Sequence, residues 1–368
     1  MNLTHKFSEL VRAIKPLHGA KRAAVQRKRP HEIPDAKSLR DHLQVALELE
    51  LSTIPPYLTA LASIEEGTNL EVAGLVRSVM MEEMLHMILA ANILNAIGGD
   101  PVLAMKGVAP EYPAILPDSD GSFQVSIQPL SIAALQTFMR IELPTPKDTH
   151  AKADGYGTIG QFYAAIMEAI VRLAKKGEIR FDHHPERQVA PSDYYNGHGK
   201  VVLVNSWGSA IAACKEIIHQ GEGNDHGISE KGQVIDGIGF ELAHYYRFME
   251  ISLGRRFQQG DTPASGPTGA VLPVDWTRMK NMISNPKSGW YTADDPRRKV
   301  MDECNETWWK LLQELEKGLN GKKESLQRSV PYMLLLKQRA SALMNVPSGV
   351  AGTVLGPSFE LPDSALHQ

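Results

Sequence analysis

Met80-Met81-Glu82-Glu83-Met84-Leu85-His86-Met87-Ile88-Leu89 is the stretch on which the reading of the fold turns. Its apolar residues, continued by Ile93 and Leu94, leave almost no polar face, so a helix here is buried on most sides. Yet Glu82, Glu83 and His86 sit inside it. A buried carboxylate without a partner is expensive, so something must compensate it. Glu83 and His86 are three residues apart and share one helix face. Glu-x-x-His at that spacing is how di-iron carboxylate bundles supply metal ligands.

Working outward, the spacing recurs. Glu241 and His244 repeat it beside the apolar positions Val234, Ile238, Phe248 and Ile251. Glu216 and His219 form a third copy, but His219 falls beside Lys215, off the stripe of Trp207, Ala210, Ile211, Cys214, Ile217 and Ile218. With 13 histidines in the chain, roughly one such pair is expected by chance, and the third copy is read as that coincidence. A di-iron bundle also needs one Glu from each of two further helices. On the preceding helix Glu50 shares the apolar stripe with Leu43, Ala46, Leu47 and Ile54, whereas Glu48 lies with Asp41 and Gln44 on the polar side. Glu50 and Glu83 are also symmetric about the loop at residues 66–69, so an antiparallel hairpin brings them to one height. For the remaining ligand, Glu142, Glu168, Glu216 and Glu222 stay open. Glu142 follows Phe138-Met139-Arg140-Ile141 at a helix end, and Glu222 closes the helix before the loop leading to His244.

The chain around these segments reads as all-α. A helix starts at Asp35 to Ser38 and is kinked or ended by Pro55 and Pro56, which lack the N–H that an interior turn needs. The second runs over about 71–97 and stops at Gly98 and Gly99. Residues 100–130 form a long crossover with a strand expected at Phe123 to Ile127. Helices follow at 131–142, 158–176 (capped by Thr158), 206–220, 234–253, 302–319 and 325–343. The expected architecture is an all-α four-helix bundle with long crossover insertions and extra C-terminal helices. It divides into a basic arm (1–34), a bundle domain (35–255) and a C-terminal extension packing on the bundle (256–368).

Composition agrees. Of 368 residues 43% are hydrophobic and 22% charged, and the net charge of −3 gives no pull toward nucleic acid or membrane. No run of about 18 apolar residues is present. Two distant cysteines, Cys214 and Cys304, fit neither a disulfide framework nor a zinc ribbon, which suits the reducing cytoplasm. The arm carries Lys6, Arg12, Lys15, Lys21, Arg22, Arg27, Lys28 and Arg29 against Glu9. A docking or targeting role is one reading of it; a solvated tail is the plainer one. His183 and His184 read as loop histidines, and no dinucleotide fingerprint, nucleophile elbow or Walker A motif appears.

Leu47-Glu48-Leu49-Glu50-Leu51-Ser52-Thr53-Ile54-Pro55-Pro56-Tyr57-Leu58 resembles the first helix of the ferritin-like family named for iminophenyl-pyruvate dimer synthase, whose members act in violacein and indolocarbazole biosynthesis. Glu82-Glu83-Met84-Leu85-His86-Met87 is similar to its second helix. Thr158-Ile159-Gly160-Gln161-Phe162-Tyr163, Gln220-Gly221-Glu222-Gly223 and His244-Tyr245-Tyr246-Arg247-Phe248 resemble later blocks, so the likeness covers roughly residues 38–255. It implies that the bundle is ferritin-like, with a non-haem metal centre and oxidative chemistry on a small molecule. It favours Glu222 and, through the Ile-Glu-x-Pro run, Glu142 as ligands, while Gln161 stands where that family is expected to carry Glu.

The functional expectation is a di-metal oxidoreductase that activates O₂ or peroxide to oxidise an amino-acid-derived amine or imine. Carboxylate and imidazole donors suit iron, and equally admit manganese or zinc. Two irons would be held by Glu50, Glu83, His86, Glu241 and His244, with Glu142 or Glu222 completing the set. Tyr57 and Tyr245 are candidates for hydrogen bonding or electron relay. An iron-storage protein without an organic substrate is the alternative, against which the insertions at 98–130 and 255–300 argue, since cages need repeated smooth interfaces. A metal-free module would require the buried Glu and His residues to satisfy one another. A homodimer is an arrangement open to such a bundle.

Overall fold

Asp35 opens the first helix, α1 (Ala36–Ser63), by accepting from the Ser38 N–H at 2.7 Å. The computed structural model describes residues 33–119, 121–145, 156–194, 199–222, 228, 242–362 and 365, with the side chain of Glu222 outside that set. The basic arm therefore lies outside the described residues, apart from Ile33 and Pro34. Of the expected kink or end at Pro55 and Pro56, the end does not occur: α1 continues to Ser63, and every residue from Leu49 to Ser63 is buried. Pro56 cannot donate to the Ser52 carbonyl, and the Tyr112 hydroxyl does so instead at 2.8 Å.

Gly98, at φ 78°, closes α2 (Leu70–Ala96). In the crossover the expected strand is reduced to a single antiparallel bridge, Val125 with Ala114. Its continuation is taken up elsewhere, the Ile127 N–H donating to Asn285 Oδ1 at 2.8 Å. Ser131 and Thr158 cap α3 (Ile132–Ile141) and α4 (Ile159–Lys175) as their sequences suggest. After α5 (Trp207–Glu222) the helix expected over about 234–253 is described from His244 on, as α6 (His244–Leu253). Residues 229–241 lie outside the described set, and Ala243, at φ −61° and ψ 155°, is an extended N-cap. The penultimate helix, α7, starts six residues earlier than expected, at Pro296, because Asp295 caps it and Pro296 suits its first turn (Pro296–Leu319). The last is α8 (Lys323–Leu343).

Helices α1 and α2 form one hairpin and α4 and α5 another; α4 lies on α1 and α5 on α2, which makes the four-helix bundle. The short helices α3 and α6 pack on each other, and α6 reaches both α2 and α5. The α7–α8 pair leans on the bundle through α2 and α1. Glu316 fastens it by accepting the Leu103 and Ala104 N–H groups at 2.7 and 2.9 Å. Among the described residues no helix is long and apolar enough to cross a membrane.

Candidate metal centre

Three carboxylates and two imidazoles meet in the bundle interior, each at most 2% exposed. Glu50 comes from the middle of α1, and Glu83 and His86 from the middle of α2. Glu142 is the C-cap of α3, and His244 is the first residue of α6. Their donor atoms form two triads, Glu50–Glu83–His86 and Glu83–Glu142–His244, each with its atoms within 4.8 Å of one another. Glu83 belongs to both. The two imidazoles face each other across the cluster, with ring centroids 5.4 Å apart and planes 22° from parallel.

The triads are related by an approximate mirror of contacts. Glu50 Oε2 is 3.6 Å from His86 Nδ1, and Glu142 Oε2 is 3.4 Å from His244 Nδ1. The outer oxygen of each carboxylate accepts from a buried tyrosine: Tyr163 donates to Glu50 Oε1 at 2.6 Å and Tyr57 to Glu142 Oε1 at 2.5 Å. Burial first, and the adjacent carboxylate second, hold both phenols well above their ordinary range, so they stay protonated donors. Each imidazole also has an outer partner. His86 Nε2 lies 2.9 Å from Gln220 Oε1 of α5, and His244 Nε2 lies 2.9 Å from Glu82 Oε2. The amide side of Gln220 donates to Glu216 Oε1 at 3.4 Å, which fixes its orientation.

Glu82 is entirely buried and held by a two-pronged contact from Arg247, at 2.8 and 3.0 Å. Burial works against its charge, but Arg247 and His244 outweigh that and depress its pKa far below the usual carboxylate value. Glu83 goes the other way. Burial, then the charge of Glu142, raise it to about 7. The Thr53 hydroxyl lies 2.8 Å from Glu83 Oε2 and 2.7 Å from the Glu50 carbonyl, and its one proton serves both.

The donor set suits a cation. Among the described residues three carboxylates converge on two imidazoles with no Lys or Arg between them, Arg247 pairing with Glu82. His244 Nδ1 is buried and makes no aligned hydrogen bond, although Glu83 Oε1 is 2.9 Å away. Burial opposes charge on this ring, but Glu142, Glu82 and Glu83 outweigh it and hold His244 well above the usual imidazole range, so a cation in the space bounded by Glu83 and Glu142 would take the place of the Nδ1 proton. Carboxylate oxygen and imidazole nitrogen together fit iron, manganese or zinc.

Of the residues singled out in the sequence, Glu50, Glu83, His86, Glu142 and His244 come together, with Tyr57 bonded to Glu142. Tyr245 packs edge-on against Tyr246, ring centroids 5.0 Å apart, and none of the carboxylate contacts described above involves it. Glu241 and the side chain of Glu222 lie outside the described residues. The end of α5 does reach the cluster: a Cβ built on Gly221 would sit 3.4 Å from Glu142 Oε2. Glu168 is exposed, while Glu216 accepts the Lys200 N–H at 3.1 Å. Sequence reading gave no role to Tyr163, Gln220, Thr53 and Arg247. The spacing of His244 and Arg247, three apart and hence on one helix face, is a signal that could have found the last.

A family model described as Ferritin-like matches residues 43–253. This chain belongs to the ferritin-like family. Among curated proteins it is 24% identical over 374 residues to the 2-imino-3-(indol-3-yl)propanoate dimerase of Chromobacterium violaceum, covering 90% of this chain and 35% of that protein. It is also 24% identical over 336 residues to the dichlorochromopyrrolate synthase of Lentzea aerocolonigenes, covering 81% of this chain and 30% of the relative. The ferritin-like chain thus spans about a third of the length of these curated relatives. A crystal structure of a ferritin-like protein from Caulobacter vibrioides superposes with a TM-score of 0.61 at 22% identity, covering 87% of this chain and 97% of that one. These findings agree with the resemblance drawn from the helix blocks.

Proposed function

We propose that this chain is a di-metal oxidoreductase, with iron as the resident metal, that uses O₂ or peroxide to oxidise a small amine or imine derived from an amino acid. The observation that carries the reading is the pair of donor triads sharing Glu83, with His244 Nδ1 left unbonded between carboxylates. Two redox-active ions held there would supply the oxidising capacity. The chain's own residues do the rest. Tyr57 and Tyr163 each occupy one oxygen of a carboxylate and leave the other directed inward. Glu83 retains a proton to near neutral pH until a cation takes its place. Tyr57, Phe138 and Phe248 form an aromatic wall with centroids 4.7 to 5.2 Å apart, which keeps water from one side of the cluster. The substrate class is taken from the relatives' names, of which one specifies an imino acid. In this reading residues 35–255 carry the centre and 256–368 brace it, in the cytoplasm.

The test is metal content. Protein produced in iron-supplemented medium is expected to carry about two irons per chain by mass spectrometry. A Glu83→Ala/His86→Ala variant is expected to lose both, since Glu83 serves both triads. Wild-type protein with no stoichiometric metal, and a variant equally well folded, would reject the centre. Loaded protein is then screened for oxygen consumption with aromatic 2-amino and 2-imino acids.

A further inference from the structure

The two triads match in the contact between each imidazole and its unshared carboxylate and differ in what stands behind each imidazole. His86 is backed by an uncharged amide, Gln220. His244 is backed by a carboxylate, Glu82, gripped by both terminal nitrogens of Arg247 at 2.8 and 3.0 Å. A carboxylate accepting the outer N–H of a ligating imidazole makes the inner nitrogen a stronger donor and fixes its tautomer; an amide oxygen does this more weakly. Arg247 takes Oε1 at 2.8 Å and shares Oε2 with the imidazole, at 3.0 Å against 2.9 Å, so it holds the carboxylate in place while the contact to His244 is kept. The shared carboxylate leans the same way: Glu83 Oε1 lies 2.9 Å from His244 Nδ1 but 3.7 Å from His86 Nδ1.

We propose that the two half-sites bind their ions unequally, the Glu83–Glu142–His244 site being the tighter, with Glu82 and Arg247 as the positioning pair that makes it so. The inference rests on the di-metal reading above and adds an order of filling. The His244 half-site loads first, and the His86 half-site holds the exchangeable ion.

Two ions around one shared carboxylate repel each other, so two affinities in the wild type would not alone establish the difference. Isolated half-sites do. The full chain is stripped with chelator and titrated with Mn(II), read by loss of the free-ion electron paramagnetic resonance signal. His86→Ala leaves only the His244 half-site intact, and His244→Ala leaves only the other. The His86→Ala protein is expected to bind Mn(II) at least about tenfold more tightly. Placing Glu82→Gln with Arg247→Met in the His86→Ala background, which neutralises both members of the buried pair, is expected to erase that advantage. Gln220→Glu in the His244→Ala background is expected to tighten the weaker site, and it serves where the double substitution fails to fold by circular dichroism. Equal affinities, or tighter binding by His244→Ala, overturn the inference and leave the metal centre standing. A gap that neither set of substitutions changes overturns the assigned cause. Wild-type protein that binds no Mn(II) overturns the metal reading itself.

Discussion

The α1–α2 hairpin and the α3–α6 pair both feed the cluster, but they hold their side chains by different means. Glu50, Glu83 and His86 stand in the middle of long helices, where neighbouring turns fix the Cα positions, and their outer contacts are neutral: Tyr163, Thr53 and Gln220. Glu142 and His244 stand at helix ends. Helix ends fray, so position there depends on side-chain contacts. For His244 the charged pair Glu82–Arg247 supplies them, with Arg247 also donating to the Leu242 carbonyl at 2.6 Å and to Ser78 Oγ at 2.9 Å, and for Glu142 the Tyr57 hydroxyl does. The mid-helix side has only neutral outer partners; the helix-end side adds a buried ion pair behind its imidazole.

The sharpest way to break this contrast is to remove the ion pair. Arg247→Ala strands the buried Glu82 charge and is expected to cost about 3–5 kcal/mol in chemical denaturation. Gln220→Ala on the other side, losing one neutral hydrogen bond, is expected to cost about 1–3 kcal/mol. Equal losses would mean that the two sides are held alike. Tyr57→Phe and Tyr163→Phe each delete one donor to a buried carboxylate and are expected to cost about 1.5–3 kcal/mol apiece. A larger loss of metal affinity in Tyr57→Phe, whose carboxylate sits at a helix end, would sharpen the comparison.

Acid supplies a third probe. The folded-state pKa of Glu82 is depressed, so its contribution is fully present above the unfolded carboxylate value of about 4.5 and is lost as pH falls below it. The melting temperature of metal-free protein should therefore drop on acidification below pH 4.5, with up to about 1.4 kcal/mol per pH unit coming from this group. Glu82→Gln should show a correspondingly shallower decline; an unchanged slope would remove Glu82 as its source. The smallest effect is expected far from either side. Asp35→Ala, which deletes the α1 cap, should cost about 1 kcal/mol and leave metal stoichiometry untouched.

The same contrast explains what could be read from sequence. Mid-helix members of the cluster announce themselves, because a carboxylate on an apolar stripe conflicts with its surroundings; that Glu50, Glu83 and His86 are buried together was legible for that reason. Glu142 was named but not separated from Glu222, since a residue at a helix end has no periodicity to place it. His244 was found through a spacing with Glu241 that assumed a helix starting at Val234, whereas α6 begins at His244 itself. Tyr163 and Gln220 are set by the docking of α4 and α5 against the first hairpin, and no local pattern encodes that register. The bundle was legible from caps and stops such as Asp35, Gly98 and Thr158, because those are local chemistry.

Tyr112, donating to the carbonyl that Pro56 leaves empty, ties the crossover to the continuity of α1. A free peptide of residues 36–63 lacks that donor, and its helix is expected to give way around the Pro-Pro step. In the whole chain the C-terminal half of α1, with Tyr57 on it, is expected to gain its helix together with the crossover that folds against it. Amides beyond Pro56 should then exchange with deuterium in step with those of residues 100–130, as one cooperative unit, rather than with the N-terminal half of their own helix.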